Sequence, residues 1–158
     1  MRMKKFLQKK LKEQKGMTLI ELLAVIVIIA IIAAIAIPAI GGIIENSRVG
    51  AIKADAINVI NAAKIYQADT NGTTVTLTTL ESQGYIDDAG TFENLSAADK
   101  LNVKVDFTGG NALLSGNNAD DGIVLTFSTA SIASINGLPN GTPQGGTSTP
   151  AGVTVTKR

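Results

Sequence analysis

Few side chains in this 158-residue chain could carry chemistry, and the one most out of place is Glu21, set near the start of an apolar run that continues to Ile44. An ionised carboxylate in the apolar part of a helix costs on the order of a few kcal/mol unless it finds a cation. None follows within the run, the next being Arg48. Two readings are open: a boundary residue hydrated at the headgroup level, or a carboxylate kept for a positive charge that another chain supplies. Other chemistry is thin. With no Cys, His or Trp the chain has no disulfide staples, no thiol or imidazole catalysis and none of the commonest zinc ligands. No convergent pair of carboxylates stands out, so the sequence argues against an enzyme, and neither a cofactor nor a metal is expected. Asn117-Asn118-Ala119-Asp120-Asp121-Gly122 is rich in oxygen donors. It lacks the acidic spacing and distal glutamate of an EF-hand loop, and reads as a polar hairpin turn. Three Asn-x-Ser/Thr triplets, at Asn71, Asn94 and Asn140, are sequons in form only, and no site is assigned to them.

The elements that would position Glu21 are legible. Residues 22–40 are 19 positions broken only by Pro38; at 1.5 Å per residue they span about 28 Å, the thickness of a bilayer core. The spacing predicts a transmembrane helix. Residues 1–16 hold seven Lys/Arg against one Glu, net +6, and residues 17–158 hold seven against twelve acids, net −5. The positive-inside rule keeps such a basic leader in the cytoplasm and turns the rest outward. A cleaved secretory signal is the competing account, but its apolar core is typically about 7–15 residues, and Ala34-Ile35-Ala36 matches its cleavage pattern only loosely. DNA is the rival partner for the lysines, and the −5 of the remainder does not indicate it.

The segment Lys15-Gly16-Met17-Thr18-Leu19-Ile20-Glu21-Leu22-Leu23, with the apolar run to Pro38, resembles the class III signal of type IV pilins and pseudopilins. The resemblance covers residues 1–45 closely and the rest only through the layout of a long helix followed by a small sheet. It implies that a prepilin peptidase cuts after Gly16 and methylates the new amine of Met17. Glu21 then takes the place of the family's glutamate and Pro38 that of its common proline; Met17 departs from the usual phenylalanine. The resemblance also supplies the missing cation: the processed amine of Met17 in one subunit would pair with Glu21 of a neighbour in a filament core. Such a pair would set register more than add stability.

Beyond Pro38, Gly41 and Gly42 weaken the helix next to a proline that removes one backbone bond. The segment is a candidate kink in the monomer, or a stretch that melts when subunits pack. Ala24, Ala30, Ala33, Ala34 and Ala36 would allow close helix approach, and are equally ordinary filler. From Ile43 the apolar positions narrow to a stripe, Ile52, Ala56, Val59, Ala63 and Tyr66, with Arg48, Lys53, Asp55, Asn58 and Lys64 largely outside it. Asp69-Thr70-Asn71-Gly72 should stop the helix, with Gly72 as its left-handed cap.

The head is expected to open with a short strand at residues 74–77, then a capping-box pattern, Thr78-Thr79-Leu80-Glu81, and a turn ended by Gly84. Leu80, Tyr85 and Ile86 should pack on the long helix. The alternation of residues 101–107 predicts a half-buried strand; residues 122–127 and 153–156 predict two more, and 111–115 and 131–135 weaker ones. Short loops of Gly, Asn and Asp favour an antiparallel sheet. Residues 138–152, rich in Gly, Pro, Thr and Ser, read as an exposed loop.

The expected architecture is thus α+β: leader 1–16, filament-core half of the helix 17–44, amphipathic half 45–72, and β-sheet head 73–158. The resemblance implies a structural, non-enzymatic subunit that forms a homopolymer on the bacterial surface after storage in the membrane, with prepilin peptidase, an assembly platform and a motor as partners. The segment from Leu80 to Gly84-Tyr85 also resembles some pilins of Gram-positive bacteria and tilts the host that way. A pseudopilin of a competence or type II secretion apparatus is the alternative within the family. A membrane-anchored binding domain that never polymerises is the alternative outside it, and it would have little use for Glu21.

Overall fold

The computed structural model describes residues 2–118, 123–140 and 150–157. One helix, α1, occupies Arg2–Thr70, and the chain divides into two compact units, residues 1–42 and 43–158. The first unit is helix alone. The second is the rest of α1 with a five-stranded antiparallel sheet in the order β1 (Thr74–Thr76), β2 (Lys104–Thr108), β3 (Asn111–Asn117), β4 (Ile123–Ala130) and β5 (Val153–Lys157). Neighbours in the chain are neighbours in the sheet, which is the simple meander that short loops permit.

The core of this second unit lies between α1 and the sheet. Val49, Ile52, Ala56, Val59, Ile60 and Ala63 recur at helical spacing and are all buried, and they meet Val75, Val103, Val105, Leu114, Leu125 and Phe127. Four of the five stripe residues expected on α1 are in that set, and the fifth, Tyr66, is half-buried against it. Strand alternation does the rest: Ile123, Leu125 and Phe127 point inward, while Thr126 and Ser128 stay exposed.

Several local expectations are corrected. The left-handed residue after α1 is Asn71, with φ +54°, and not Gly72; an asparagine side chain tolerates this region better than most. Strand β1 ends at Thr76, which is itself the N-cap of α2 (Leu77–Ser82), accepting from the Thr79 N–H; the capping box read at Thr78 starts two residues too late. Gly84, with φ +75°, does end that turn. Leu101 belongs to α3 (Ala97–Asn102), capped by Ser96, so β2 starts at Lys104 and the alternation of residues 101–107 is strand only in its second half. Residues 131–135 are not a strand: Ser131 caps α4 (Ile132–Gly137) through the Ser134 N–H, and Ile135 is buried as a helical residue. A 3-10 turn, Gly90–Phe92, buries Phe92 against Phe127. In the stretch 138–152 read as an exposed loop, Leu138 is buried and residues 141–149 lie outside the described residues; the strand expected at 153–156 is present as β5.

Where β3 meets β4 the register shifts between Leu114 and Gly116. Gly116 has φ +133°, and a Cβ there would fall 2.8 Å from the Val103 Cα, so this crossing needs glycine both for its backbone and for its space.

Candidate functional site

In the first unit the helix has nothing to bury its side chains against. Fourteen large apolar residues between Leu19 and Ile40 are exposed, from 49% at Val27 to 71% at Ile35, and the most apolar 18-residue window has a mean hydropathy of 3.2 with none of it buried. A contiguous apolar surface of this extent is far beyond what a soluble monomer leaves in water. Lipid or other protein must cover it. The helix is long and apolar enough to cross a membrane.

Glu21 sits on this surface, exposed, with no hydrogen bond or ion pair among the described residues. Met17 lies four residues before it, about one turn away along the same helix. Gly16 and Met17 fall in the stretch of α1 whose side chains lie outside the described ones. Pro38, Gly41 and Gly42 all stay within α1, and a Cβ added at either glycine would meet nothing within 4 Å.

The second unit adds polar contacts that join elements distant in sequence. The Asp55 carboxylate accepts the Thr91 N–H at 2.8 Å, and the Lys53 ammonium donates to the Leu138 carbonyl at 2.6 Å and the Asn140 side chain at 3.1 Å. Two residues on opposite sides of one turn of α1 thus tie the 3-10 turn on one side and the end of α4 on the other. Both residues lie off the apolar stripe of α1, and their partners, 85 and 36 residues away, leave no signal in local spacing.

Tyr85 donates to Asp69 at 3.0 Å, with its ring edge-on to Tyr66 at 5.3 Å. That hydrogen bond to a carboxylate is the main reason its phenol is held above the ordinary value, with desolvation and the charge of Asp69 adding to it. Lys100 bridges Glu81 at 3.0 Å and Glu93 at 3.1 Å, linking α3, α2 and the segment after the 3-10 turn. The Glu81 hydrogen bond leads in raising its ammonium above the usual lysine value; desolvation opposes this and Glu93 supports it.

Among the described residues no group of three or more His, Cys, Asp or Glu could hold a metal. Of the oxygen-rich segment 117–122, residues 119–122 lie outside the described residues. Asn118 is fully buried and its side-chain carbonyl accepts the Leu125 N–H at 2.7 Å, as a residue closing a hairpin would.

Residues 11–37 match the prokaryotic N-terminal methylation motif. No curated protein and no solved structure matches the chain. The match spans Gly16, Met17, Glu21 and most of the exposed apolar helix, and stops short of the second unit. It fits a membrane-anchored precursor, and neither it nor the fold favours a Gram-positive host.

Proposed function

We propose, from the premise that this chain is a precursor carrying the class III signal peptide of type IV pilins and pseudopilins, that it is the structural subunit of a type IV pilus. The reading is structural and not enzymatic. Residues 1–16 are the leader removed by prepilin peptidase after Gly16, and the new amine at Met17 is methylated. Residues 17–44 anchor the subunit in the membrane and later form the filament core, residues 45–72 carry the head, and residues 73–158 complete it. The assembled homopolymer is extracellular and takes its place on the cell surface, where adhesion, motility or DNA uptake would be its use.

The observation that carries this reading is the uncovered apolar face of residues 19–40, interrupted by one carboxylate. The twelve Leu, Ile and Val residues within 22–40, at about −0.3 to −0.6 kcal/mol each, hold the helix in a bilayer by roughly 4–7 kcal/mol. Extraction is feasible if a filament core offers comparable burial and an assembly platform with its motor drives the step. In that core a carboxylate needs a cation, and the Met17 amine of a neighbouring subunit is the group the processing step creates. The Glu21 to Met17 pair then selects the correctly staggered subunit, because a mis-registered one leaves two charges unpaired. Pro38, Gly41 and Gly42 mark where α1 loses its backbone bonds at least cost if the core requires a longer reach per residue.

The test is electron microscopy of filaments sheared from expressing cells, with mass spectrometry of the subunit's N-terminus. The expected result is long filaments of a chain that starts at methylated Met17. Correct processing without long surface filaments would move the protein to the pseudopilins of competence or type II secretion. A surface protein that keeps its leader, or starts near Ala36, would refute the reading.

A further inference from the structure

The second unit is electrically lopsided, and the asymmetry starts on α1. Lys53 and Lys64 are eleven residues apart and Asp55 and Asp69 fourteen, so at 100° per residue each pair returns to nearly the same side of the helix. Lys53 and Asp55 themselves are 200° apart. The contacts bear this out: Lys53 reaches Leu138 at the end of α4, whereas Asp55 reaches Thr91 and Asp69 reaches Tyr85. One flank of the unit is therefore built on Lys53 and Lys64 beside α4. The opposite flank carries Asp55, Asp69 and the exposed turn Asp87-Asp88. It also carries Arg48, and Lys100, whose charge Glu81 and Glu93 already exceed.

On the basic flank lies an open groove of about 290 Å³ lined by Lys64, Asn111, Ser131 and Ile132. Lys64 is exposed and forms no hydrogen bond or ion pair among the described residues. It stands beside the Asn111 amide and the Ser131 hydroxyl, which are neutral groups able to complete the hydrogen bonding of a bound carboxylate. On the acidic flank Asp87 is exposed and likewise unpaired among the described residues, and Asp88 is committed through one oxygen only, to the Gly90 N–H at 2.7 Å.

We propose that the groove at Lys64 receives the Asp87-Asp88 turn of a second copy of this chain. A contact between two different surfaces of identical subunits is heterologous, and when its rotation does not close a ring it propagates as an open helical polymer. The charges do the selecting: basic flank against acidic flank attracts, while either flank against itself repels, so one sense of addition is favoured. This deepens the polymer reading and rests on it, placing on the head a contact distinct from that of the apolar helix.

The chain has no cysteine, which gives a clean background for cross-linking. Full-length Lys64→Cys/Asp87→Cys is expressed in filament-forming cells, and sheared filaments are oxidised, or treated with a short bismaleimide, and run without reductant. The expected result is a ladder of covalent oligomers from the double variant and at most dimers from each single variant. Filaments that form normally but give no ladder overturn the groove contact and leave the polymer reading intact. No filaments from wild-type cells removes the polymer reading and the contact with it. Charge reversal supplies an independent readout: Lys64→Glu should lower filament yield at least severalfold, and Asp87→Lys/Asp88→Lys in the same chain should restore most of it. Wild-type yield from Lys64→Glu alone, or no recovery in the combined variant, overturns the proposal.

Discussion

The Asp55 carboxylate accepts the Thr91 backbone N–H at 2.8 Å across 36 residues of chain, and it lies so close to Gly90 that a Cβ there would fall on it. The carboxylate acts as a cap delivered from another element: the N-cap residue of the 3-10 segment, Ala89, offers no side-chain acceptor, Asp88 takes the Gly90 N–H, and Asp55 takes the next one. Phe92, a fully buried aromatic side chain, hangs from that segment. Removing the cap by Asp55→Ala should therefore destabilise the second unit by about 1–3 kcal/mol, the range for losing a charged acceptor from a partly buried donor. Gly90→Ala should cost at least as much, because it adds a positive-φ penalty to the clash. Urea denaturation of the two variants checks both, and a variant within experimental error of wild type would show that the turn docks through Phe92 alone.

Residues 43–158 should fold without the rest of the chain. Every buried apolar residue of the core, from Val49 to Val153, lies within them. A chain starting at Ile43 is expected to be soluble and largely monomeric, with helix and strand signals in circular dichroism and a cooperative melt. A disordered spectrum would contradict the core described above.

Glu21→Leu should leave membrane insertion intact or improve it, since it removes a carboxylate that costs a few kcal/mol in lipid. The same change should impair filament assembly, because the Met17 amine becomes the unpaired charge. Glu21→Gln should fall between wild type and Glu21→Leu in insertion and be similarly poor in assembly, as an amide can hydrogen-bond an ammonium without neutralising it. Cleavage after Gly16 should survive both. Wild-type filament yield from correctly cleaved Glu21→Leu subunits would make the carboxylate a hydrated boundary residue.

Tyr85 and Lys100 each contribute stability that is lost on the alkaline side. Both groups titrate above their ordinary values in the folded chain, Tyr85 through Asp69 and Lys100 through Glu81 and Glu93. A raised folded value means that the protonated form is favoured by folding. The contribution is complete below the unfolded value, near 10 for both, and is lost as pH rises through the folded one. Urea midpoints should hold steady from pH 8 to 9 and fall above pH 10. Tyr85→Phe should flatten part of that fall, and an unchanged slope would mean that the Asp69 hydrogen bond is not kept in solution.

By itself the sequence determined whatever depends on composition over a long window or on strict alternation. Residues 19–44 are so uniformly apolar that no folding of the head could change what they need, and the basic leader and Glu21 are local facts of type and spacing. The strand at 104–107 was legible because inward and outward residues alternate in hydrophobicity, and that at 123–127 because a short β-branched and aromatic run follows a polar, glycine-containing turn. The apolar stripe of α1 was legible for the same reason at helical period. Tertiary structure decided the elements whose local signals compete. The segment at 131–135 carries two isoleucines and reads as strand, yet Ser131 caps the Ser134 N–H and Ile135 finds burial only as a helical residue. Leu101 continues the alternation of β2 but falls in a helix started by Ser96, and so remains exposed. Nor could spacing along the chain pair Asp55 with Thr91 or Lys53 with Leu138. Their geometry exists only once α1 lies on the sheet, because a contact across 36 or 85 residues is fixed by the packing of the elements that carry its ends.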